Sequence, residues 1–320
     1  MPTAAASQPQ TQPGHASGVK RMVLRRPLAA FFVLAYAGAW IVLLFPVLSR
    51  SGLGLLPFPS PVPTLLFFIP AAIAGPTIAA FVVTRMVEGK EGTRKLRRRI
   101  LGWRLGPHWY LIALFGVPAA YFLAASVVFG AAPLDALIEK WPLLFTSYLP
   151  NVLVLVLLVS VWEEIGWTGF ALPRLQERYG PLLASVILGV LWALWHLPAY
   201  FVSGQVVDHK VGFGDLDRLL YLLPLLVLMA IPSRVVMTWL YNNAFAAGVL
   251  VIALFHAGWD MTNSNIVYAF MPEVTERFRH NELIYAIFGV LAASLIVVTK
   301  ARLSYGANHE GDPRPRDKEA

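Results

Sequence analysis

Residues 147–172 read SYLPNVLVLVLLVSVWEEIGWTGFAL, and this stretch decides the fold class. It exceeds the roughly 20 apolar residues that carry a helix across the hydrocarbon core of a bilayer. Its apolar residues do not alternate with polar ones, which argues against a barrel strand. Because lipid offers no water to backbone groups, such a run must be helical. The stretch therefore predicts a membrane-spanning helix that contains two adjacent carboxylates, Glu163 and Glu164.

Further apolar runs of similar length occur along the whole chain. Of its 320 residues, 57% are hydrophobic and only 14% are charged, below the roughly one quarter typical of globular domains. We therefore predict an all-α, polytopic transmembrane helical bundle with about eight spans. The expected spans are roughly 28–49, 63–84, 108–131, 147–172, 181–202, 218–241, 244–263 and 283–300.

The ends of the chain differ from this bundle in composition. Residues 1–19 are rich in Ala, Ser, Gln and Pro, and we predict a disordered tail because they cannot bury enough apolar surface to offset the entropy of ordering. The bundle is predicted over 20–303, with a motif core at about 147–263, and a second, cytoplasmic disordered tail over 304–320. The run 28–48 is too long for a signal-peptide core, which predicts a retained first span.

Lys and Arg residues are distributed unevenly among the predicted loops. Most of the 26 flank the spans on one side, including a basic stretch over 85–104, whereas Arg234 lies inside the sixth predicted span. Since cytoplasmic flanks carry the excess, we predict cytoplasmic termini in a multi-pass plasma-membrane protein. Anionic membrane lipids are the expected partner of the basic stretch. Without interleaved aromatic residues or a recognisable module, the stretch does not indicate nucleic-acid binding.

Glu163 and Glu164 are the first indication of chemistry. An acidic residue at a helix centre costs about 2.5–3.5 kcal/mol on insertion scales, so ionisable groups at this depth predict a functional site. Two neighbouring carboxylates in a low-dielectric pocket cannot both ionise at low cost, which suits one of them to general-base catalysis. The alternative is that the helix ends near Trp162 and leaves both carboxylates solvated at the interface. The apolar run over 165–172 argues against that alternative.

Two later spans contribute histidines. Trp192 and His196 share one helical face at a spacing of four in the fifth span, and His256 and Asp260 do so in the seventh. Each pair also has a structural explanation, because a membrane histidine can hydrogen-bond across helices and a His/Asp pair can stabilise its own helix. Ionisable groups in lipid seek one another or a water-filled cavity. We therefore predict that these residues and the two carboxylates converge in one polar pocket.

These three segments, in this order and at these intervals, resemble the CPBP family (CAAX protease and bacteriocin-processing, or Abi), which includes the CAAX prenyl endoprotease. The family pattern is EExxxR, then FxxxH, then HxxxN or HxxxD. It occurs here as Glu163-Glu164-Ile-Gly-Trp-Thr168, Trp192-Ala-Leu-Trp-His196 and His256-Ala-Gly-Trp-Asp260.

The chain departs from the family pattern at two positions. Thr168 stands in place of Arg and cannot hold a carboxylate by a charged bidentate contact. Arg174, nearly two turns later, is not expected to substitute. Trp192 replaces Phe and keeps an aromatic body. Asp260 is within the family's range, but an anion there weakens an oxyanion-donor role unless it is protonated or orients His256.

The resemblance implies an intramembrane endopeptidase, a hydrolase in which Glu163 activates a water with the help of His196. His256 and Asp260 would stabilise the oxyanion, and Glu164 would orient its neighbours. We favour catalysis with no required cofactor, as the resemblance implies. A zinc metalloprotease with Glu163, His196 and His256 as ligands is the alternative.

Two other function classes fit parts of the sequence. A non-catalytic immunity or scaffold protein would bind a peptide or partner in the same pocket, and the loss of Arg at Thr168 supports it. A proton-coupled transporter would use the two carboxylates as a relay, but the chain lacks the expected internal repeats. A membrane-delivered peptide or protein is the expected substrate. Its cleavage site, the recognition of a prenyl group and the oligomeric state are left open.

Overall fold

The computed structural model describes residues 18–57, 65–202, 216–244, 248–277 and 282–306. Across these ranges the chain is helical and contains no strand, which confirms the all-α class. The helices are α1 (Gly18–Arg25), α2 (Pro27–Leu48), α3 (Leu66–Val87), α4 (Gly89–Leu101), α5 (Pro107–Phe129), α6 (Ala132–Lys140), α7 (Leu144–Tyr179), α8 (Pro181–Phe201), α9 (Leu216–Asn243), α10 (Gly248–Met261), α11 (Pro272–Arg277) and α12 (Glu282–Val298).

Six of the described helices are long and apolar enough to cross a membrane: α2, α3, α5, α7, α8 and the segment Leu223–Asn243 of α9. They coincide with the first six predicted runs and support a multi-pass membrane protein. The seventh and eighth runs form α10, of 14 residues, and α12, of 17 residues. A polar stretch, Thr262–Ile266, follows α10 and limits its apolar length. The count of about eight spans, the cytoplasmic termini and the plasma membrane therefore stay predictions.

Helix α7 is longer than the sequence predicted. It continues beyond residue 172 to Tyr179, where Gly180 with φ of 75° and the following Pro181 separate it from α8. The alternative of a helix ending near Trp162 is therefore wrong. Both carboxylates lie well inside α7 because the apolar run resumes after them.

Three π-helical turns interrupt α7, and two of them flank the carboxylates. These two are Val156–Ser160 and Trp167–Ala171. A π turn inserts an extra residue into the helical repeat and often marks a functional site. The faces of α7 before and after the carboxylates are therefore rotated relative to a regular helix.

Two glycines allow neighbouring helices to approach the carboxylates closely. A Cβ at Gly166 of α7 would overlap Pro76 of α3, and a Cβ at Gly189 of α8 would lie 2.9 Å from the Cα of Ile231 in α9. Small residues at such crossings are the usual means by which membrane helices pack. Gly166 thus lets α3 approach α7 closely, and Gly189 does the same for α8 and α9.

The ends of the chain are only partly described. The predicted tails over 1–19 and 304–320 fall mostly outside the described residues. Within the described residues, α1 begins at Gly18, and both tails stay predictions. The basic stretch forms α4 together with its flanks, and its Arg94, Arg97 and Arg98 side chains are exposed. Membrane lipids stay the predicted partner of these side chains.

Candidate active site

Glu164 lies at the centre of a buried polar cluster. Its two carboxylate oxygens accept hydrogen bonds from both terminal nitrogens of Arg234 on α9, at 2.9 and 3.0 Å. The Thr168 hydroxyl donates to the same oxygen, Oε2, that accepts from Arg234 Nη1. His256 Nδ1 on α10 lies 3.1 Å from Oε1. Glu164 and Arg234 are 0% and 1% exposed, so one carboxylate ties α7, α9 and α10 together away from solvent.

Glu163 faces a different neighbour. It is 2% exposed, and its Oε2 accepts a hydrogen bond of 3.0 Å from the indole Nε1 of Trp192 on α8. Adjacent residues of an α-helix point about 100° apart, which separates the two side chains. The two carboxylates therefore have unequal surroundings, because Glu164 has a cationic partner in direct contact and Glu163 has a neutral donor.

His196 lies at the C-terminal end of α8. Its Nδ1 is 2.9 Å from the backbone oxygen of Trp192. A carbonyl oxygen only accepts, so Nδ1 carries the proton and a neutral ring keeps its lone pair on Nε2. The imidazole packs edge-on against Trp192, with ring centroids 4.5 Å apart, and stacks on Phe68 of α3 at 6.1 Å. These contacts fix the orientation of the ring.

His256 and Asp260 share one face of α10, as the spacing of four predicted. His256 Nε2 lies 3.6 Å from Asp260 Oδ2, a distance of electrostatic contact rather than a hydrogen bond. The His256 side chain is buried, whereas that of Asp260 is 41% exposed. His256 therefore bridges the buried Glu164 and a carboxylate at the edge of the cluster.

Trp192 joins the separate parts of the site. Its ring centroid lies 5.6 Å from that of His256, and the Arg234 guanidinium lies over its face at 4.8 Å. Glu163, Glu164, His256 and Asp260 are linked by direct polar contacts or through this ring. His196 joins them by way of Trp192. The structure thus brings the predicted residues together, while their catalytic roles stay predictions.

Arg234 is a residue of this cluster that sequence reasoning did not place there. Its position inside a predicted span already suggested a place in a functional site, because charges at membrane depth are rare and usually functional. The sequence did not show which carboxylate it would meet, since that depends on the rotation of α9 about its axis. Arg234 on α9 gives Glu164 the charged partner that Thr168 on α7 cannot provide.

The zinc alternative requires its three candidate ligands to lie around one point. Within the described part of the chain, no three His, Asp or Glu side chains are placed to hold one metal ion. Glu163, His196 and His256 therefore do not fit a metal site in this arrangement. Catalysis with no required cofactor stays a prediction.

Comparison with known proteins identifies the segment that holds these residues. Residues 143–262 match the family model of the Rce1-like Type II CAAX prenyl endopeptidases. This segment is similar to the Rce1-like family. The resemblance to CPBP proteins is confirmed, and the matched segment runs from α7 into the polar turn after α10.

A similar protein carries a related name. The chain is 27% identical over 192 residues to the CAAX prenyl protease 2 of Methanococcus maripaludis. The aligned region covers 56% of this chain and 66% of that relative's length. Similarity to an Rce1-like protein thus extends beyond the motif segment into flanking helices.

Proposed function

We propose that the protein is an intramembrane endopeptidase that hydrolyses a peptide bond of a membrane-delivered substrate. The observation that carries this proposal is the asymmetry of the two carboxylates. Glu164 is held by Arg234, whereas Glu163 receives a hydrogen bond from the neutral indole of Trp192. Neighbouring carboxylates in unequal environments take different roles. The similarity of residues 143–262 to the Rce1-like family supports the same reaction.

Glu163 is the proposed general base. It takes a proton from a water molecule while the water oxygen bonds to the carbonyl carbon of the scissile peptide, and the carbonyl π electrons move to oxygen. When the tetrahedral intermediate collapses, the C–N bond breaks and the Glu163 carboxylic acid returns the proton to the leaving amine. This proton transfer needs a carboxylate that is free of a fixed cationic partner.

His196 is the proposed positioning group for the water. Its Nδ1 is bound to the Trp192 carbonyl, which leaves Nε2 as a hydrogen-bond acceptor. A water that donates one O–H to Nε2 and the other to Glu163 has its oxygen lone pairs directed at the substrate. Orientation of this kind supplies a large part of enzymatic rate enhancement.

His256 is the proposed donor to the oxyanion. Glu164 engages Nδ1, and Nε2 lies 3.6 Å from Asp260, too far for a hydrogen bond. The Nε2–H group can therefore donate to a substrate oxygen that develops negative charge. Asp260 acts by favouring the protonated form of this ring, which removes the difficulty of an anion serving as an oxyanion donor.

A peptide with a prenylated cysteine near its C-terminus is the first substrate to test. The similar protein of Methanococcus maripaludis is named a CAAX prenyl protease, and a prenyl chain would deliver a peptide at membrane depth. A matched peptide without the prenyl group separates recognition of lipid from recognition of sequence.

The deciding experiment is peptide cleavage by purified protein in proteoliposomes. Wild-type protein should release a defined C-terminal product, and Glu163→Gln should lower kcat by roughly 10²–10⁴-fold because the amide cannot take the proton. Glu139→Gln, the same change at an exposed carboxylate of α6, should leave cleavage unchanged. Identical products from wild type and Glu163→Gln, or none from wild type, would contradict the endopeptidase proposal.

The scaffold alternative loses its main argument. It rested on the missing arginine at Thr168, and Arg234 provides a bidentate guanidinium to the same carboxylate.

A further inference from the structure

A cation on α9 occupies the place that a cation on α7 would otherwise fill. Thr168 lies one helical turn after Glu164, and its hydroxyl reaches Oε2 of that carboxylate. The same oxygen accepts from Nη1 of Arg234. A long basic side chain at position 168 would therefore meet the carboxylate in the space that the Arg234 guanidinium now holds. One guanidinium fits there, and a second would repel it.

Arg234 also touches the partner of the other carboxylate. Its guanidinium lies over the ring of Trp192, at 4.8 Å from the centroid, and the Trp192 indole N–H donates to Glu163. A phenylalanine at position 192 would keep the ring face but lose this N–H. The tryptophan thus links the cation on α9 to the proposed base on α7.

The backbone of α8 and α9 sets the distance between these side chains. Gly189 packs directly against Ile231, as its lack of a side chain permits. The two helices run antiparallel, so Trp192, three residues after Gly189, and Arg234, three residues after Ile231, lie about one turn from the crossing in opposite directions. Their long side chains meet across it. The closest point of the two helices therefore lies about one turn from the cation and the indole.

We infer that Arg234 is the positioning residue of this site, fixing Glu164 directly and Glu163 through Trp192, in place of a basic residue at position 168. The inference rests on the proposed endopeptidase function and adds to it the group that sets the geometry of both carboxylates. Arg234 does not touch substrate. It holds Glu164 so that His256 is oriented, and it restrains the indole that directs Glu163.

The test is to place an arginine at position 168 of α7 in a protein that lacks Arg234. Arg234→Met should lower kcat by roughly 100-fold with KM within about twofold, because the carboxylates lose their alignment while the substrate contacts remain. Adding Thr168→Arg to Arg234→Met should recover at least about tenfold of this loss. Thr168→Arg alone should lower kcat, since two guanidiniums then compete for one carboxylate. The sign of the Thr168→Arg effect thus depends on residue 234.

Further variants separate positioning from folding. Arg234→Lys keeps the charge but not the planar fork, and it should give an intermediate kcat. Thermal unfolding and size-exclusion profiles give the folded fraction of each variant. A purely structural role would change that fraction and leave kcat per folded molecule constant. If Arg234→Met does not fold, the double variant and Arg234→Lys carry the comparison.

The outcomes are distinguishable. Recovery in the double variant, with loss in Thr168→Arg alone, supports the inference. A folded double variant that remains as impaired as Arg234→Met, or an Arg234→Lys variant with wild-type kcat, overturns it while the endopeptidase function stands. Absence of cleavage by the wild type overturns the endopeptidase function itself.

Discussion

The Trp192 indole N–H donates to Glu163 over 3.0 Å, and the same residue's backbone carbonyl lies 2.9 Å from His196 Nδ1. One residue thereby contacts both groups that we assign to the attacking water. Its side chain restrains the base, and its main chain fixes the proton on the imidazole.

The indole hydrogen bond to Glu163 can be removed without changing the backbone contact to His196. Trp192→Phe keeps the ring and deletes the N–H, and it should reduce kcat by about tenfold, the equivalent of one neutral hydrogen bond. KM should change little. Steady-state kinetics in proteoliposomes measure both constants, with Trp141→Phe at an exposed position as the control. A wild-type kcat in Trp192→Phe would show that the hydrogen bond does not position the base.

The two carboxylates should differ in their effect on stability. Glu164→Gln leaves the buried Arg234 without a counter-charge and should cost about 3–5 kcal/mol of unfolding free energy. Glu163→Gln breaks no ion pair and should cost far less, although it abolishes most of the activity. Thermal unfolding in detergent micelles compares the two variants. Equal losses would contradict the unequal environments of Glu163 and Glu164.

Asp260 should tolerate an amide. Asp260→Asn removes the charge but keeps a polar side chain, and Glu164 still favours the protonated His256 ring, so kcat should stay within about tenfold of wild type. Asp260→Leu removes the polar partner and should lose roughly 100-fold, the scale of a lost electrostatic contact to the transition state. Steady-state cleavage rates of both variants, compared with wild type, measure the two effects. Equal activity of the leucine and asparagine variants would exclude a role for Asp260.

Activity should survive chelation. Purified wild-type protein should contain no stoichiometric zinc by elemental analysis and should cleave at an unchanged rate after incubation with a strong chelator. Both measurements belong on the same preparation, with a known zinc peptidase as the positive control for the chelator. Stoichiometric zinc together with chelator-sensitive cleavage would replace the glutamate mechanism by a metal-assisted one.

The close approach of α3 and α7 should be sensitive to one methyl group. Gly166→Ala would place a Cβ on Pro76 and should destabilise the protein by about 1–3 kcal/mol, as overpacking does. Gly289→Ala on α12 has open space around it and should be neutral or slightly stabilising. Thermal unfolding of both variants tests the packing. An unchanged midpoint for Gly166→Ala would show that α3 does not pack against α7 as closely as described.

Much of this arrangement follows from the sequence. Span length and apolar composition predict α7 and five further helices, and three short segments predict which side chains meet. The role of Arg234 does not follow, because apolar residues occur on all sides of α9 and do not show which side faces α7. The π turns on either side of Glu163 add to the difficulty, since a regular 3.6-residue repeat no longer assigns faces across them. The seventh run ends where a polar helical continuation begins at Thr262, so its identity as a membrane span stays a prediction.

The pairing of Glu164 with Arg234 also constrains how the protein is made. The two residues are 70 positions apart in the chain. At a synthesis rate of about 5–20 residues per second, Glu164 leaves the ribosome roughly 4–14 s before Arg234 does. Until then its carboxylate has no counter-charge, and a bare acidic residue is poorly accepted by lipid. We therefore expect α7 to wait beside the translocon or an insertase until α9 emerges, so that the two helices enter the bilayer as a neutral pair.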